Sequence, residues 1–431
     1  MKPNRYSKSQ ALLARALKTI PLGSQTFSKS FLGYPQGYAP HFLTHGDGAL
    51  VWDIDGNQYI DYVNGLLPII LGYNDPHVTS AVQKQLVKGV SFSLGTEAEI
   101  ILSEKLVELI PCAESVRFGK NGSDATSGAI RIARAYTGRD HVIACGYHGW
   151  QDWYIGSTAR NKGVPNAVRD LTHTFQYNDL SSLDSELRKN EGNVACVILE
   201  PMTSVLPNPG FLESVKELAH QHGALLIFDE IITGFRFDIS GAQNIFRVTP
   251  DLATFGKSMG NGFPISAIVG RAEIMRQMEE IFFSFTAGGE ALSIVAALAT
   301  IEKLVSHSVP EKLAQTGENL RSSVNKLITK HKLTDIVSLN GHPSWLLIQL
   351  KETNGINSWQ LKTLFMQEML ARGILVQGGH NISFSHSSDL IEQTVIAYDE
   401  VLPILADCVF NDALSKYLLA PTMDPIFKVR T

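Results

Sequence analysis

The chain has 431 residues, 44% of them hydrophobic and 18% charged, with a formal net charge of -5. Such a length points to two or three domains and buries roughly 75% of the unfolded surface, so no disulfide or metal staple is needed. The mild acidity gives no reason to expect a nucleic acid or an anionic membrane as partner, and no stretch is long and apolar enough to span a bilayer.

The four cysteines, Cys112, Cys145, Cys196 and Cys408, lie far apart without metal-ligand spacing. They read as free thiols of a reduced compartment, and no metal site is expected. No acidic residue precedes Asp47, while Lys2, Arg5, Lys8, Arg15, Lys18 and Lys29 are basic. That composition fits an organelle transit peptide or an amphipathic first helix over residues 7–17. The helix is the preferred reading, and a cytoplasmic location goes with it.

Apolar and polar residues alternate over 49–63 around Asp55-Gly56-Asn57, a hairpin signal. Thr96 and Glu99 form a capping box ahead of the apolar run 100–110, which Pro111 stops. Strand and helix then alternate. Strands are expected at 116–118, 141–145, 194–199, 224–228, 252–255 and 265–269, with helices at 123–136 and 211–222. Alternation of this kind argues for an α/β fold with a mostly parallel sheet and helices on both faces. A long helix over 290–305 closes the region. The division expected is an N-terminal helix and hairpin segment, residues 1–60, a large domain, 61–312, and a small α+β C-terminal domain, 313–431.

The most telling residue is Lys257, in Phe255-Gly256-Lys257-Ser258-Met259-Gly260. A lysine among glycines just after a short apolar strand is poorly placed for a surface charge. The strand 224–228 ends in Asp229-Glu230, and open α/β sheets collect ligands at that edge. A lysine amine paired with a buried aspartate suits pyridoxal phosphate (PLP) chemistry, in which the Asp keeps the pyridine nitrogen protonated.

The stretch from Glu200-Pro201 through Asp229-Glu230-Ile231-Ile232-Thr233-Gly234-Phe235-Arg236 to Lys257 resembles the class III PLP-dependent aminotransferases. Asp53-Ile54-Asp55-Gly56-Asn57, Asn121-Gly122-Ser123-Asp124-Ala125 and Gly146-Tyr147-His148-Gly149 extend the likeness over nearly the whole chain, in family order. The closest branch is the glutamate-1-semialdehyde aminomutases. The resemblance implies PLP-dependent transferase fold type I, like aspartate aminotransferase. It makes Lys257 and Asp229 catalytic. Gly122 and Ser123, at a helix start, take the cofactor phosphate, although a Gly-Ser turn there is also an ordinary N-cap. Tyr147 stacks on the cofactor ring and Ile231 packs on it. His148 is placed beside the cofactor or in the core, and Glu200 hydrogen-bonds near the cofactor or is an inert strand end. Thr286 matches a threonine that relatives bring to the phosphate of the partner subunit, which implies a homodimer.

Departures from the aminomutase branch concentrate where the substrate would lie. Lys29 stands in place of an arginine that reads the substrate carboxylate, and lysine lacks the planar bidentate fork. Gly65-Leu66-Leu67-Pro68 replaces Ser-Trp-Gly-Pro. The expectation is an aminotransferase moving an amino group from a small-molecule donor, glutamate, to a carbonyl acceptor. Gln25, Thr26, Ser28, His380 and Asn381 suggest an acceptor rich in hydroxyls, such as a sugar or nucleotide sugar. The alternatives are a true glutamate-1-semialdehyde 2,1-aminomutase and, from another class, a non-catalytic PLP-binding protein. A nicotinamide oxidoreductase carries little weight, since no Gly-x-Gly-x-x-Gly follows a strand.

Overall fold

The computed structural model describes residues 5–425. The chain divides into two compact units, one of residues 5–66, 70–75 and 312–425, the other of 67–69 and 76–311. In chain order the strands are β1 (Leu43–Asp47), β2 (Leu50–Asp53), β3 (Gln58–Asp61), β4 (Ser115–Gly119), β5 (His141–Cys145), β6 (Thr172–Thr174) and β7 (Val194–Leu199). There follow β8 (Leu225–Asp229), β9 (Leu252–Phe255), β10 (Ser266–Gly270), β11 (Val337–Asn340), β12 (Trp345–Leu350), β13 (Ile374–Leu375) and β14 (Gly379–Asn381).

The larger unit is built on a seven-stranded sheet in the order β4-β10-β9-β8-β7-β5-β6. Strands β5 to β9 pair in parallel. Every residue of β7, β8 and β9 is buried, as expected of parallel strands covered on both faces. The sequence predicted a mostly parallel sheet; the exception is β10, antiparallel to both β9 and β4. This register brings the C-terminal ends of β4, β5, β7, β8 and β9 to one edge, together with the start of β10. Gly146, Glu200, Asp229, Lys257 and the turn at Asn121 therefore all emerge there. The helix Gly122–Thr137 packs its alanines and isoleucines onto the sheet, with Ala125, Ala129, Ile132 and Ala133 fully buried. It ends at Gly138, whose φ of 66° supplies the left-handed C-cap.

The smaller unit holds a four-stranded sheet, β1-β2-β3-β13, and a three-stranded antiparallel sheet, β11-β12-β14. Gly56, with φ 89°, turns β2 into β3. Residues 61–66 and 70–75, assigned from the sequence to the large domain, cluster here instead. The reason is pairing: Asp61 lies opposite Leu375 of β13, and the Phe384 N–H donates to the Ile70 carbonyl at 2.8 Å. The first helix spans Ser7–Ala16, with Asp55 accepting from the Lys8 and Ser9 N–H groups at 2.8 and 2.9 Å. Among the described residues no single helix is long and apolar enough to cross a membrane.

Candidate active site

Asp229 is the last residue of β8 and is buried. Three donors converge on its carboxylate: His148 Nδ1 at 2.7 Å, the Ile231 N–H at 3.1 Å and Thr254 Oγ1 at 3.3 Å. Thr254 is its direct neighbour across the parallel β8–β9 pairing. A carboxylate beside His148 Nδ1 fixes the proton on that nitrogen. His148 Nε2 is buried and has no hydrogen-bond partner among the described residues. His148 is thus held between Asp229 and the rings of Trp153 and Tyr154.

Lys257 follows β9 through Gly256 and adopts φ 38°, in the left-handed region. Side chains rarely accept that conformation without a local reason. Lys257 is partly buried. Burial lowers the proton affinity of its amine, Glu200 and Asp229 oppose that shift, and the Arg236 cation adds to it. Arg236 is fully buried, and burial pulls its guanidinium down to about 9, still a cation at neutral pH.

Glu200, just past β7, is buried and accepts the Tyr147 N–H at 2.9 Å. A Cβ on Gly146, whose φ is 117°, would lie 2.5 Å from Glu200 Oε2. Glu200 thus clamps the start of the loop carrying Tyr147 and His148. The Tyr147 ring stays 46% exposed, and its hydroxyl's pKa is raised by burial and then by the Asp229 charge.

The turn before the helix Gly122–Thr137 is held by Asp124, whose Oδ2 accepts the Lys120 and Asn121 N–H groups at 3.1 and 2.7 Å, and by Ser266 Oγ, which donates to the Asn121 carbonyl at 2.7 Å. Among the described residues neither the Gly122 nor the Ser123 N–H has a protein acceptor, as helix geometry requires at a first turn. Gly149, with φ 106°, closes on the same turn: a Cβ there would lie 2.5 Å from the Ser123 Cβ. Thr126 Oγ1 donates to the His148 carbonyl at 2.8 Å and ties loop to helix. Ile231 packs between Gly122 and Gly256, 3.1 Å from where a Cβ on either would stand.

This set fits pyridoxal phosphate on three independent counts. Free N–H groups at a helix start suit the phosphate. An acceptor-only carboxylate suits a protonated ring nitrogen, and an amine of lowered proton affinity suits an aldehyde.

The class-III aminotransferase family profile matches residues 34–401. The chain belongs to that family. It is 37% identical over 408 residues to the 3-aminobutyryl-CoA aminotransferase of Cloacimonas acidaminovorans (strain Evry), covering 92% of this chain and 97% of that protein. It is 36% identical over 428 residues to glutamate-1-semialdehyde 2,1-aminomutase 2 of Lachnoclostridium phytofermentans, covering 92% and 100%. Among solved structures, the PLP-bound FumI protein of Sphingopyxis sp. MTA144 superposes with a TM-score of 0.88 at 26% identity, covering 97% and 99% of the two chains. The protein is thus an enzyme of the class-III aminotransferase family on PLP fold type I, and its cofactor is PLP.

Thr286 is exposed, in the turn before the helix Ala291–Ser306, which Glu290 caps. Lys29 is exposed and belongs to the smaller unit, where its charge offsets part of the rise that burial imposes on Asp61. His380 and Asn381 are corrected: both side chains serve the interior of that unit. His380 is fully buried, Nε2 3.2 Å from the Tyr398 hydroxyl, and Asn381 Nδ2 donates to the Val63 carbonyl at 2.8 Å. Sequence reasoning missed Thr254 and Arg236. Strand pairing with Asp229 was a usable signal for the first, and a cation between two phenylalanines in Phe235-Arg236-Phe237 for the second.

Proposed function

We propose that this enzyme is an aminotransferase that moves an amino group from glutamate to a carbonyl acceptor whose reacting carbon bears no adjacent free carboxylate. The observation that carries the reaction type is the convergence of His148, Ile231 N–H and Thr254 on Asp229, with Lys257 within its field. When bound, PLP supplies an electron sink for the electrons released at the amino-bearing carbon. Lys257 Nζ would take the proton from that carbon and give it back at the other end of the shift, working from one side throughout. Asp229 would keep the proton on the ring nitrogen, aimed by its three donors. Gly122 and Ser123 would hold the phosphate. Tyr147 and Ile231 would hold the ring plane, with Glu200 fixing Tyr147 through its backbone.

The acceptor reading rests on Lys29 and Leu66 standing where the aminomutase branch carries an arginine and a tryptophan. The similarity to an enzyme named for a coenzyme A ester supports it. Gln25, Thr26 and Ser28 are exposed polar groups that suit a polyhydroxylated acceptor; His380 and Asn381 no longer contribute. The aminomutase reading keeps support from two relatives at 36% identity.

A homodimer, with Thr286 reaching the partner's cofactor phosphate, is supported by an apolar surface on the same segments. Val87, Leu94 and Phe282 are 87%, 85% and 82% exposed. The Ala291 N–H ties these segments together by donating to the Val90 carbonyl at 2.8 Å. Large exposed apolar groups on segments tied to one another suit an association surface.

The deciding experiment supplies PLP and L-glutamate with a panel of sugar ketones, acyl thioesters and glutamate semialdehyde. Amino transfer to a sugar or thioester acceptor is expected. Turnover of glutamate semialdehyde alone, without donor, would establish the aminomutase instead. Absence of any half-reaction across all amino acids would leave a PLP-binding protein.

A further inference from the structure

Arg236 is the largest fully buried side chain of the described residues. It follows a tight bend after β8: the Gly234 N–H donates to the Glu230 carbonyl at 2.8 Å, and Phe235 takes φ 62° while its ring packs edge-on against Phe255. A Cβ on Gly234 would lie 2.3 Å from the Phe255 ring. The bend is therefore tight and locked, and it turns Arg236 inward. There Arg236 Nη2 donates to the Leu67 carbonyl at 2.8 Å. Leu67 has φ 83° and Leu66 φ 78°, conformations glycine accepts freely and leucine resists. Two residues on, Ile69 Cδ1 lies 2.7 Å from where a Cβ on Gly262 would stand, so the segment also rests on the loop that follows Lys257. A strained segment persists only when its surroundings over-determine it. Here the surroundings include the Arg236 hydrogen bond to the Leu67 carbonyl and the approach of Ile69 to Gly262.

We infer that Arg236 is a positioning residue: its hydrogen bond to the Leu67 carbonyl holds Leu67-Pro68-Ile69 in the strained shape that substrate binding uses. The inference does not depend on which donor or acceptor is used. Leu67 stands where the aminomutase branch has glycine, which takes such a conformation without strain.

The test uses the PLP-loaded enzyme and three variants, Arg236→Met, Arg236→Lys and Leu67→Gly. The readouts are the half-saturating concentration of L-glutamate in the single half-reaction and the rate at saturation. Methionine keeps the volume and removes the donors. It is expected to raise half-saturation at least fivefold with the saturating rate within twofold of wild type. Lysine, which keeps the charge without the fork, is expected not to restore half-saturation. Leu67→Gly frees the backbone and is expected to raise half-saturation in the same way. A folded, coloured Arg236→Met enzyme with half-saturation at the wild-type value overturns the inference. If that variant does not fold, unchanged half-saturation in Leu67→Gly overturns it. A wild-type protein that stays colourless with PLP would instead refute the role of Lys257.

Discussion

Replacing Asp229 by asparagine tests the centre of the site with the smallest change of shape. Three donors point at the carboxylate, from His148, Ile231 and Thr254. An asparagine can accept from Ile231 and Thr254 through its oxygen, but its NH2 group then faces His148 Nδ1. To accept there, the imidazole must move its proton to Nε2, which is buried without a hydrogen-bond partner among the described residues. The variant thus loses the charge opposite the ring nitrogen and gains a misplaced donor. Breaking a buried charge pair by removing one partner costs about 3–5 kcal/mol. At 1.36 kcal/mol per tenfold, that is roughly a hundred- to several-thousand-fold in rate. The assay is a single half-reaction with L-glutamate, followed by absorbance in enzyme saturated with PLP. His148→Gln removes one charge-assisted hydrogen bond, worth about 1.5–3 kcal/mol, and is expected to fall between wild type and Asp229→Asn. An Asp229→Asn enzyme fully loaded with PLP and within tenfold of the wild-type rate would refute the assignment of Asp229. A His148→Gln enzyme slower than Asp229→Asn would refute the supporting role of His148.

Gly149→Ala places a methyl 2.5 Å from the Ser123 Cβ at φ 106°; PLP titration should show at least a tenfold weaker complex, while Gly163→Ala, at φ 92° with open space around it, leaves PLP affinity unchanged. Glu230→Ala strips the acceptor from the buried Ala242 and Gln243 N–H groups and the Thr233 hydroxyl; at about 1–3 kcal/mol per orphaned group, urea unfolding should show a loss of roughly 3–9 kcal/mol. His380 titrates in the folded protein at about 3, pushed down by burial and then by His386. Its unfolded pKa is near 6.5. The unfolded chain binds the extra proton between these values, so the contribution is complete above pH 6.5 and is lost as pH falls towards 3. The slope is at most about 1.4 kcal/mol per pH unit, and urea midpoints from pH 7 to 5 should fall less steeply in His380→Gln. Mixing Lys257→Ala with Thr286→Ala should regain activity as mixed dimers form; no regain, with dimers present by sedimentation, would remove Thr286 from the partner's site.

The parts of the fold legible in the sequence are those with a local cause. The strands 141–145, 194–199 and 252–255 were read with the observed bounds, because each is an apolar run between polar breaks. The capping box at Thr96 and Glu99 holds, with the Thr96 N–H 2.7 Å from Glu99 Oε1. The reading 224–228 was one residue early, and the shift makes Asp229 part of the strand. β6 was missed: three residues of Thr-His-Thr carry no apolar signal, and only pairing with β5 makes them a strand. The direction of β10 was equally hidden, because strand sense depends on the sheet neighbour and not on the residues. His148 could be named from its motif, but its partner, 81 positions away, could not.

Backbone strain separates what sequence motifs display from what they conceal. Lys257, Phe235, Leu67 and Asn261 have φ of 38°, 62°, 83° and 44°. No propensity would place a lysine, a phenylalanine or a leucine there, and each costs on the order of 1–3 kcal/mol. All four belong to the unit that carries the site, and three sit on loops leaving the sheet edge where Asp229 ends. The cost is carried by rigid neighbours: Gly256 beside Lys257, Phe255 behind Phe235, and Arg236 above Leu67. A motif search sees the lysine and the aspartate because their chemistry demands those side chains. It does not see the residues that bend the backbone to aim them, since any side chain that holds the bend will serve. Substitutions that alter acceptor choice are therefore expected among the supports, at Leu66, Leu67 and Arg236, before they are found at Lys257 or Asp229. A selection for a new acceptor that returned changes only at groups touching PLP would contradict this division of labour.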